Sequence, residues 1–367
     1  MADMHIPFVN LGRQFVSLEA ELTKAFVDVG RSGQYIMGER LESFEKKVAD
    51  FCGVAHAIGV ADGSNALFLV LKALGIGPGD EVITATNSFI ASAWVVAATG
   101  ATPVLVDVDE DLNISPPLIE AAITKNTKAI IPVHLTGRPA EMDEINAIAE
   151  RHGLFVLEDA AQAIGARYRG RRVGALGHAA GFSLHPLKNL GVYGDGGLIT
   201  TSDSQLAGKL RLLRNHGLRN RDECELWGFN SRLDPLQAAF AEIKLARLDA
   251  WNARCREIAG LYRAGLHKLV KTPEDKPWEE NVYHNFVIRT ERRDEMMSYL
   301  SSRGVDTRVH YPIPIHLQDA AKALGYEEGR FPSAEKYAKT MISLPIYPEL
   351  SNDEVAYVVA TAVDFFA

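Results

Sequence analysis

Apolar positions along the chain recur with two spacings that take turns, and the alternation predicts most of the elements. Phe15, Leu18, Leu22 and Phe26 follow helical spacing within an N-terminal arm and helix over residues 1–35, which Gly30 and Gly33 bring to an end. Leu41, Phe44, Val48 and Phe51 share one face of a second helix over 40–52. A short apolar strand at 55–60 breaks at Asp62-Gly63-Ser64-Asn65 and continues into a helical run from Ala66. The rhythm repeats: strands at 81–85, 102–108, 129–134 and 154–159 alternate with helices starting near 87, over 116–124 and over 141–151. Such alternation predicts an α/β fold with a largely parallel sheet between layers of helices.

The texture changes near residue 203. Helices are predicted over 204–216 and 233–265, the second with Leu236, Ala239, Phe240, Ile243 and Leu245 on its apolar face. A strand with alternating faces over 281–289, a helix over 293–303, a strand over 306–311 and a final helix over 352–366 read as a smaller α+β domain. The boundary falls inside the long helix, giving an arm and large domain over 1–245 and a small C-terminal domain over 246–367.

Composition narrows the function classes. The 367 residues are 47% hydrophobic and 23% charged, ordinary values for a globular protein. A net charge of −8 argues against general affinity for nucleic acid, which needs clustered Lys and Arg. The basic group Arg167-Tyr168-Arg169-Gly170-Arg171-Arg172 reads as a solvated hairpin, with a lining for an anionic substrate as the alternative. Cys52, Cys224 and Cys255 show neither metal-ligand spacing nor a disulfide framework, so no metal is expected and a reducing cytoplasm is the expected home. The first residues do not read as a secretory leader, and no apolar run reaches the roughly 20 residues of a membrane span.

Chemistry enters at the strand ends. In open α/β sheets, ligands collect at the carboxyl ends of the strands, and Gly63, Phe89, His134, Asp159 and Ser183 all fall there. Beyond Ser183, a turn marked by Pro186 carries a single lysine, Lys188, with glycines at Gly191, Gly194, Gly196 and Gly197. A lysine able to form a Schiff base, with a carboxylate for a pyridinium nitrogen, is what pyridoxal phosphate requires. Lys188 offers the amine, and Asp159, emerging from an apolar strand, offers the carboxylate; Asp159 also reads as a helix N-cap. The helix start at Gly63-Ser64, with Ser183, offers donors for a phosphate. Phe89 is placed to lie on a ring face or to pack in the core, and Gln162 to reach the cofactor's 3-hydroxyl or to be a plain helix residue.

Together these residues resemble the sugar aminotransferases of the DegT/DnrJ/EryC1/StrS family, fold type I of the pyridoxal phosphate enzymes. The resemblance runs from Ile6-Pro7-Phe8-Val9-Asn10-Leu11 to Leu344-Pro345. It includes Gly79-Asp80-Glu81-Val82-Ile83, Glu158-Asp159-Ala160-Ala161-Gln162-Ala163, the run from Ser183 to Gly191, Gly194-Asp195-Gly196-Gly197, the run from Gly228 to Asp234, and His310-Tyr311-Pro312-Ile313-Pro314. It implies a seven-stranded, mostly parallel sheet, with Lys188 as the Schiff-base lysine and Asp159 on the pyridinium nitrogen. It also implies Gln162 on the 3-hydroxyl, Phe89 on the ring, and Gly63, Ser64 and Ser183 on the phosphate. Asn230 matches a residue that reaches the phosphate of the neighbouring subunit, so a homodimer with shared active sites is implied. Two departures stand out, Asp62-Gly63-Ser64 for the usual Ser-Gly-Thr and Ser183-Leu184 for the usual Ser-Phe; both keep the required groups.

The implied reaction is transamination, with glutamate as amino donor and a keto sugar as acceptor. Relatives that dehydrate sugars carry histidine in place of the lysine; here the lysine is present, which disfavours dehydration. Asn230-Ser231-Arg232-Leu233-Asp234 and His134-Leu135-Thr136-Gly137 look more like the branch acting on nucleotide-linked 3-keto-hexoses. A 4-keto-hexose or a cyclitol ketone of the scyllo-inosose type remains an alternative, as does a non-catalytic, cofactor-binding regulatory protein. His134, Arg232, His310, Tyr311 and His316 are the candidate substrate contacts.

Overall fold

The computed structural model describes residues 4–367. Its centre is a seven-stranded sheet in the order β1-β9-β8-β5-β4-β2-β3. These strands are β1 (His56–Val60), β2 (Glu81–Ala85), β3 (Thr102–Val106), β4 (Thr127–Ile131), β5 (Phe155–Asp159), β8 (Ala179–Ser183) and β9 (Gly197–Thr201). Between β5 and β8 lies the expected hairpin, β6 (Arg167–Tyr168) and β7 (Arg171–Arg172). Its arginines are used within the fold: Arg172 lies 3.7 Å from the centre of the Phe51 ring and pairs with Asp249. In the large sheet every neighbouring pair is parallel except those of β9, which runs antiparallel to both β1 and β8.

The strands read as continuous apolar runs because both faces of the sheet are covered. Successive residues point to opposite faces: Val82 joins the core under α3 (Gly63–Ala73), α4 (Ala91–Thr99) and α7 (Ser204–Leu213), whereas Ile83 joins the other. That second core is closed by α2 (Glu39–Cys52), α5 (Pro116–Ala122), α6 (Met142–His152) and α8 (Pro235–Leu245). Helix α1 (Leu11–Ser32) rests Leu18 and Leu22 against Phe240 of α8, while Phe26 on the same stripe stays exposed.

A separate core forms where α9 (Leu248–Leu266), α10 (Arg293–Ser302) and α12 (Asn352–Asp364) cover a two-stranded sheet. That sheet pairs β11 (Phe286–Arg289) with β12 (Met341–Leu344). The start of the N-terminal arm belongs with this core, since Ile6 bridges to Val305 and is fully buried there. Helix α11 (Pro332–Thr340) returns to the large sheet, its first amides capped by Asp107 through Ser333 and Ala334. Among the described residues no helix is long and apolar enough to cross a membrane.

Three elements differ from expectation. The single helix over 233–265 is two, α8 and α9, parted at Ala246-Arg247. The strand over 281–289 is cut to β11, because Tyr283 takes a left-handed φ of 47° and breaks the extended run; Glu279–Glu280, β10, pairs instead with β6. Residues 306–311 form no strand: Arg308 alone bridges to Ser343, on the β12 segment that pairs with β11.

Candidate active site

Strand β5 ends in two adjacent acids that face opposite ways. Glu158 points under the sheet and is fully buried; it accepts hydrogen bonds from the amides of Gly174, Leu176 and Gly177 at 2.8–2.9 Å. Asp159 points up into a cavity of about 480 Å³ at the carboxyl end of the sheet. Ser92 Oγ donates to its Oδ2 at 2.7 Å, and the Ala161 amide to its Oδ1 at 3.2 Å. Burial pushes its pKa above the usual carboxylate value, against the two hydrogen bonds and the positive charge of Lys188.

Lys188 enters the same cavity from the turn after β8, where its amide closes onto the His185 carbonyl at 2.8 Å. Burial lowers its ammonium from 10.5 to about 8, the Asp159 carboxylate opposing the shift. A buried amine of that kind is readily deprotonated, which suits a nucleophile or base.

The floor beside Asp159 is a cradle with room for an anion. Gly63 opens α3, and a Cβ there would sit 2.7 Å from Ser183 Cβ; one on Gly197 would meet the Asp62 carbonyl oxygen at 2.2 Å. Only glycines let the helix start approach β8 and β9 this closely. Gly63, Ser64 and Ser183 line the cavity, so the first turn of α3, with its helix-dipole charge, adjoins the opening. The Asp62 carboxylate is turned back on its own helix, accepting from the amide of Asn65 and from its side chain.

Phe89, 53% exposed, forms one wall, its ring 5.6 Å from that of Tyr311. Gln162 is held at both ends of its amide: Oε1 accepts from the Thr136 amide at 2.7 Å and Nε2 donates to the Tyr311 hydroxyl at 3.2 Å. His310 bonds Ser343 Oγ through Nδ1 and is lowered to about 4, by burial first and then by the charges of Lys188 and Arg308. Lys188, Asp159, Gln162, Ser183, Gly63, Ser64, Phe89, His310 and Tyr311 are thus brought together around one cavity. They could hold an aldehyde, an aromatic ring nitrogen and a phosphate at once, three of the polar handles of pyridoxal phosphate.

Three expected substrate contacts, His134, His316 and Arg232, lie outside the cavity. His134 is fully buried below the cavity, its Nε2 on Glu158 at 3.0 Å and its Nδ1 accepting from the Ala140 amide. His316 is likewise buried, between Thr86 Oγ1 at 2.8 Å and Glu335 Oε1 at 3.0 Å. Both rings spend their nitrogens on protein partners, and neither lines the cavity. Arg232 bonds the Asn215 side chain, and Asn230 is exposed on the same excursion; neither lines the cavity of its own chain.

Sequence reasoning missed Ser92 and His284. Ser92 is marked only by its place in the first turn of the helix after β2. His284 comes from the C-terminal half of the chain and lines the cavity beside Lys188. Its pKa is driven well below 6.5 by burial first, then by the positive charge of Lys188.

The sequence pattern of the DegT/DnrJ/EryC1/StrS aminotransferase family matches residues 16–363. A Streptomyces venezuelae protein named dTDP-3-amino-3,4,6-trideoxy-alpha-D-glucose transaminase is 48% identical over 357 residues, covering 96% of this chain and 94% of its own. A Geobacillus stearothermophilus protein named pleiotropic regulatory protein is 45% identical over 368 residues, 99% of each. The crystal structure of S. venezuelae DesV in complex with a ketimine intermediate superposes with a TM-score of 0.97, covering 98% of each chain at 48% identity.

Proposed function

The chain belongs to the DegT/DnrJ/EryC1/StrS aminotransferase family and is a pyridoxal phosphate-dependent aminotransferase, and on that premise we propose the roles of its residues and the identity of its substrates. The observation that carries the assignment of roles is the convergence of Lys188, Asp159, Gln162 and the Gly63–Ser183 cradle on one cavity. When bound, the cofactor supplies the carbonyl that carries the amino group and the ring that takes up electrons as a proton leaves carbon.

The chain's own residues do the rest. Lys188 Nζ would hold the cofactor's aldehyde and, as a free amine, would move the substrate's α-proton, a role that fits an amine held at about 8. Asp159, fixed by Ser92, holds a proton on the ring nitrogen; a buried carboxylate favours a cation beside it. Gln162 orients the ring hydroxyl, Phe89 covers one face, and Gly63, Ser64 and Ser183 bind the phosphate. His310 and Tyr311, on the open side, are the substrate contacts, joined by His284. Kept neutral by burial beside Lys188, His284 accepts or donates a hydrogen bond without repelling the Lys188 ammonium.

The acceptor is a nucleotide-linked 3-keto-hexose and the donor is glutamate, in amino-sugar biosynthesis for a surface polysaccharide or secondary metabolite. The name of the Streptomyces relative, with its amino group at C3, supports this reading. The active unit is a homodimer in which Asn230 and Arg232 serve the neighbouring site. Exposed apolar side chains support such an assembly: Val16, Phe26, Trp94 and the 93% exposed Trp227 lie open on the single chain. The test is turnover with glutamate of a panel of 3-keto and 4-keto nucleotide sugars and cyclitol ketones, read by mass spectrometry and by the position of the new amine. Turnover of 4-keto sugars or cyclitols alone overturns the substrate assignment.

A further inference from the structure

The two loops that carry Lys188 and Asp159 come from different strands, and no backbone hydrogen bond joins the far end of one to the other. One buried side chain does. Asn252 lies on α9 and is 1% exposed. Its Nδ2 donates to the Ile164 carbonyl at 3.1 Å, and its Oδ1 accepts from Asn189 Nδ2 at 2.9 Å. Asn189 Nδ2 also donates to the Val282 carbonyl at 3.1 Å. Partners that are backbone carbonyls fix which end of each amide is nitrogen, so the chain of bonds runs one way only.

Both anchor points are close in sequence to the chemistry. Asn189 follows Lys188 directly, and Ile164 ends the turn that starts at Asp159 and includes Gln162. That turn is stiff: Ala163 N bonds the Ala160 carbonyl and Ala166 N the Ala163 carbonyl, both at 3.0 Å. A push at Ile164 is therefore passed to Gln162 and Asp159. The other end of α9 is set in the C-terminal core through Cys255, Ile258 and Tyr262. Asn252 thus ties three bodies at one point.

We propose that Asn252 is a positioning residue for the transamination: through Asn189 and Ile164 it sets the spacing of Lys188 from the Asp159–Gln162 turn and holds it against movement of the C-terminal unit. The proposal rests on the roles given above to Lys188 and Asp159. Asn252 does not line the cavity that holds Asp159; with Asn189 it lines an adjoining recess that Lys188, His284 and His310 share, and its bonds reach the site through the two loops.

The test compares Asn252→Leu, which removes both bonds at similar volume, with Asn189→Ala, which cuts one limb and leaves Asn252 on Ile164. Each is purified as holoenzyme and measured for kcat and KM with glutamate, for the pH titration of the cofactor's visible band, and for Tm. A misplacement of about 1 Å can cost on the order of 100-fold in rate. Asn252→Leu is expected to lose about 10- to 100-fold in kcat with KM within about 3-fold, and to shift the titration midpoint. Asn189→Ala should give the same signature more weakly, and the double variant should be no worse than Asn252→Leu, since the two act in one chain of bonds. A fall in Tm with kcat and titration unchanged makes Asn252 an ordinary buried amide and overturns the proposal. If Asn252→Leu does not fold, Asn189→Ala decides by the same readings. A variant Lys188→Ala that kept the visible band would instead overturn the roles on which the proposal stands, a distinct outcome.

Discussion

Ser92 Oγ donates a 2.7 Å hydrogen bond to Asp159 Oδ2, tying the first turn of α4 to the end of β5 beneath the cavity. The bond opposes the upward push of burial on the carboxyl. It therefore favours the charged form, the one able to hold a proton on a ring nitrogen. Ser92→Ala should raise the Asp159 pKa further and loosen its aim. A hydrogen bond to a charged group is worth about 1.5–3 kcal/mol, so a loss of roughly 10- to 100-fold in kcat is expected. The loss should be greatest at low pH, where the weakened carboxylate is first protonated. Steady-state rates between pH 6 and 9 check this; a flat ratio of variant to wild type would count against it.

Glu158 and His134 form a buried pair with a structural task. The carboxylate accepts three backbone amides as well as His134 Nε2. Glu158→Gln places an NH₂ group against those donors, and an unsatisfied buried group of this kind costs about 1–3 kcal/mol or more. The expected result is a lowered Tm. His134→Ala should likewise lower Tm while leaving KM for the keto sugar within about 3-fold, since the ring does not line the cavity. A selective rise in KM would return His134 to the substrate.

The same pair shows where the sequence was readable and where it was not. The strand–helix alternation is written in the apolar pattern, and β2 and its neighbours follow from it, because a sheet covered on both faces needs continuous apolar runs. The convergence of Gly63, Phe89, Asp159 and Ser183 follows from strand ends alone. What a linear pattern lacks is direction. Glu158 and Asp159 are adjacent and chemically alike, yet pleating sends one under the sheet and the other into the cavity. His134 follows a strand end as plausibly as any ligand would, and its buried acid partner is 24 positions away. His284 was hidden for a related reason: it reaches Lys188 only after the C-terminal unit folds back. The break of the strand near it comes from one left-handed residue, Tyr283, that no glycine announces.

Two buried lysines make the cofactor-free protein's stability depend on alkaline pH. Burial lowers Lys188 and Lys244 alike, each to about 8 from 10.5. Lys244 Nζ also donates to the Gly191 carbonyl at 2.7 Å and lies over the Tyr193 ring. Between about pH 8 and 10.5 the unfolded chain holds protons that the folded chain has released, so each lysine makes stability rise with pH across that window. Below pH 8 both states are protonated and the full desolvation penalty applies. Each group contributes a slope of at most about 1.4 kcal/mol per pH unit. Denaturant melts of apoprotein and of apo Lys188→Met from pH 7.5 to 10.5 should differ by this slope. Equal slopes would mean that Lys188 is not buried as an amine in the folded state.

Whether Asn230 serves its own chain or its neighbour's can be decided by mixing two inactive proteins. On one chain Asn230 is exposed and lines no part of the cavity that holds Lys188. Its place is nonetheless fixed: Asn215 bridges to Asn230, and the Ser231 amide bonds the Arg214 carbonyl at 2.9 Å. Arg214 in turn is buried against Glu45 and donates to the Gly59 carbonyl at 2.8 Å. A residue held this firmly and aimed outward suits a site completed by a second subunit. Lys188→Ala should be inactive, and Asn230→Ala should bind cofactor weakly enough to lose most activity at limiting pyridoxal phosphate. In the proposed homodimer, unfolding and refolding an equal mixture would make about half of the assemblies hybrids, and each hybrid would have one site with both native residues if Asn230 crosses the interface. Activity should then recover to about one quarter of wild type, the fraction of intact sites in such a random assortment. If Asn230 acts within its own chain, every site in the mixture lacks one residue or the other, and activity stays at the level of the separate variants.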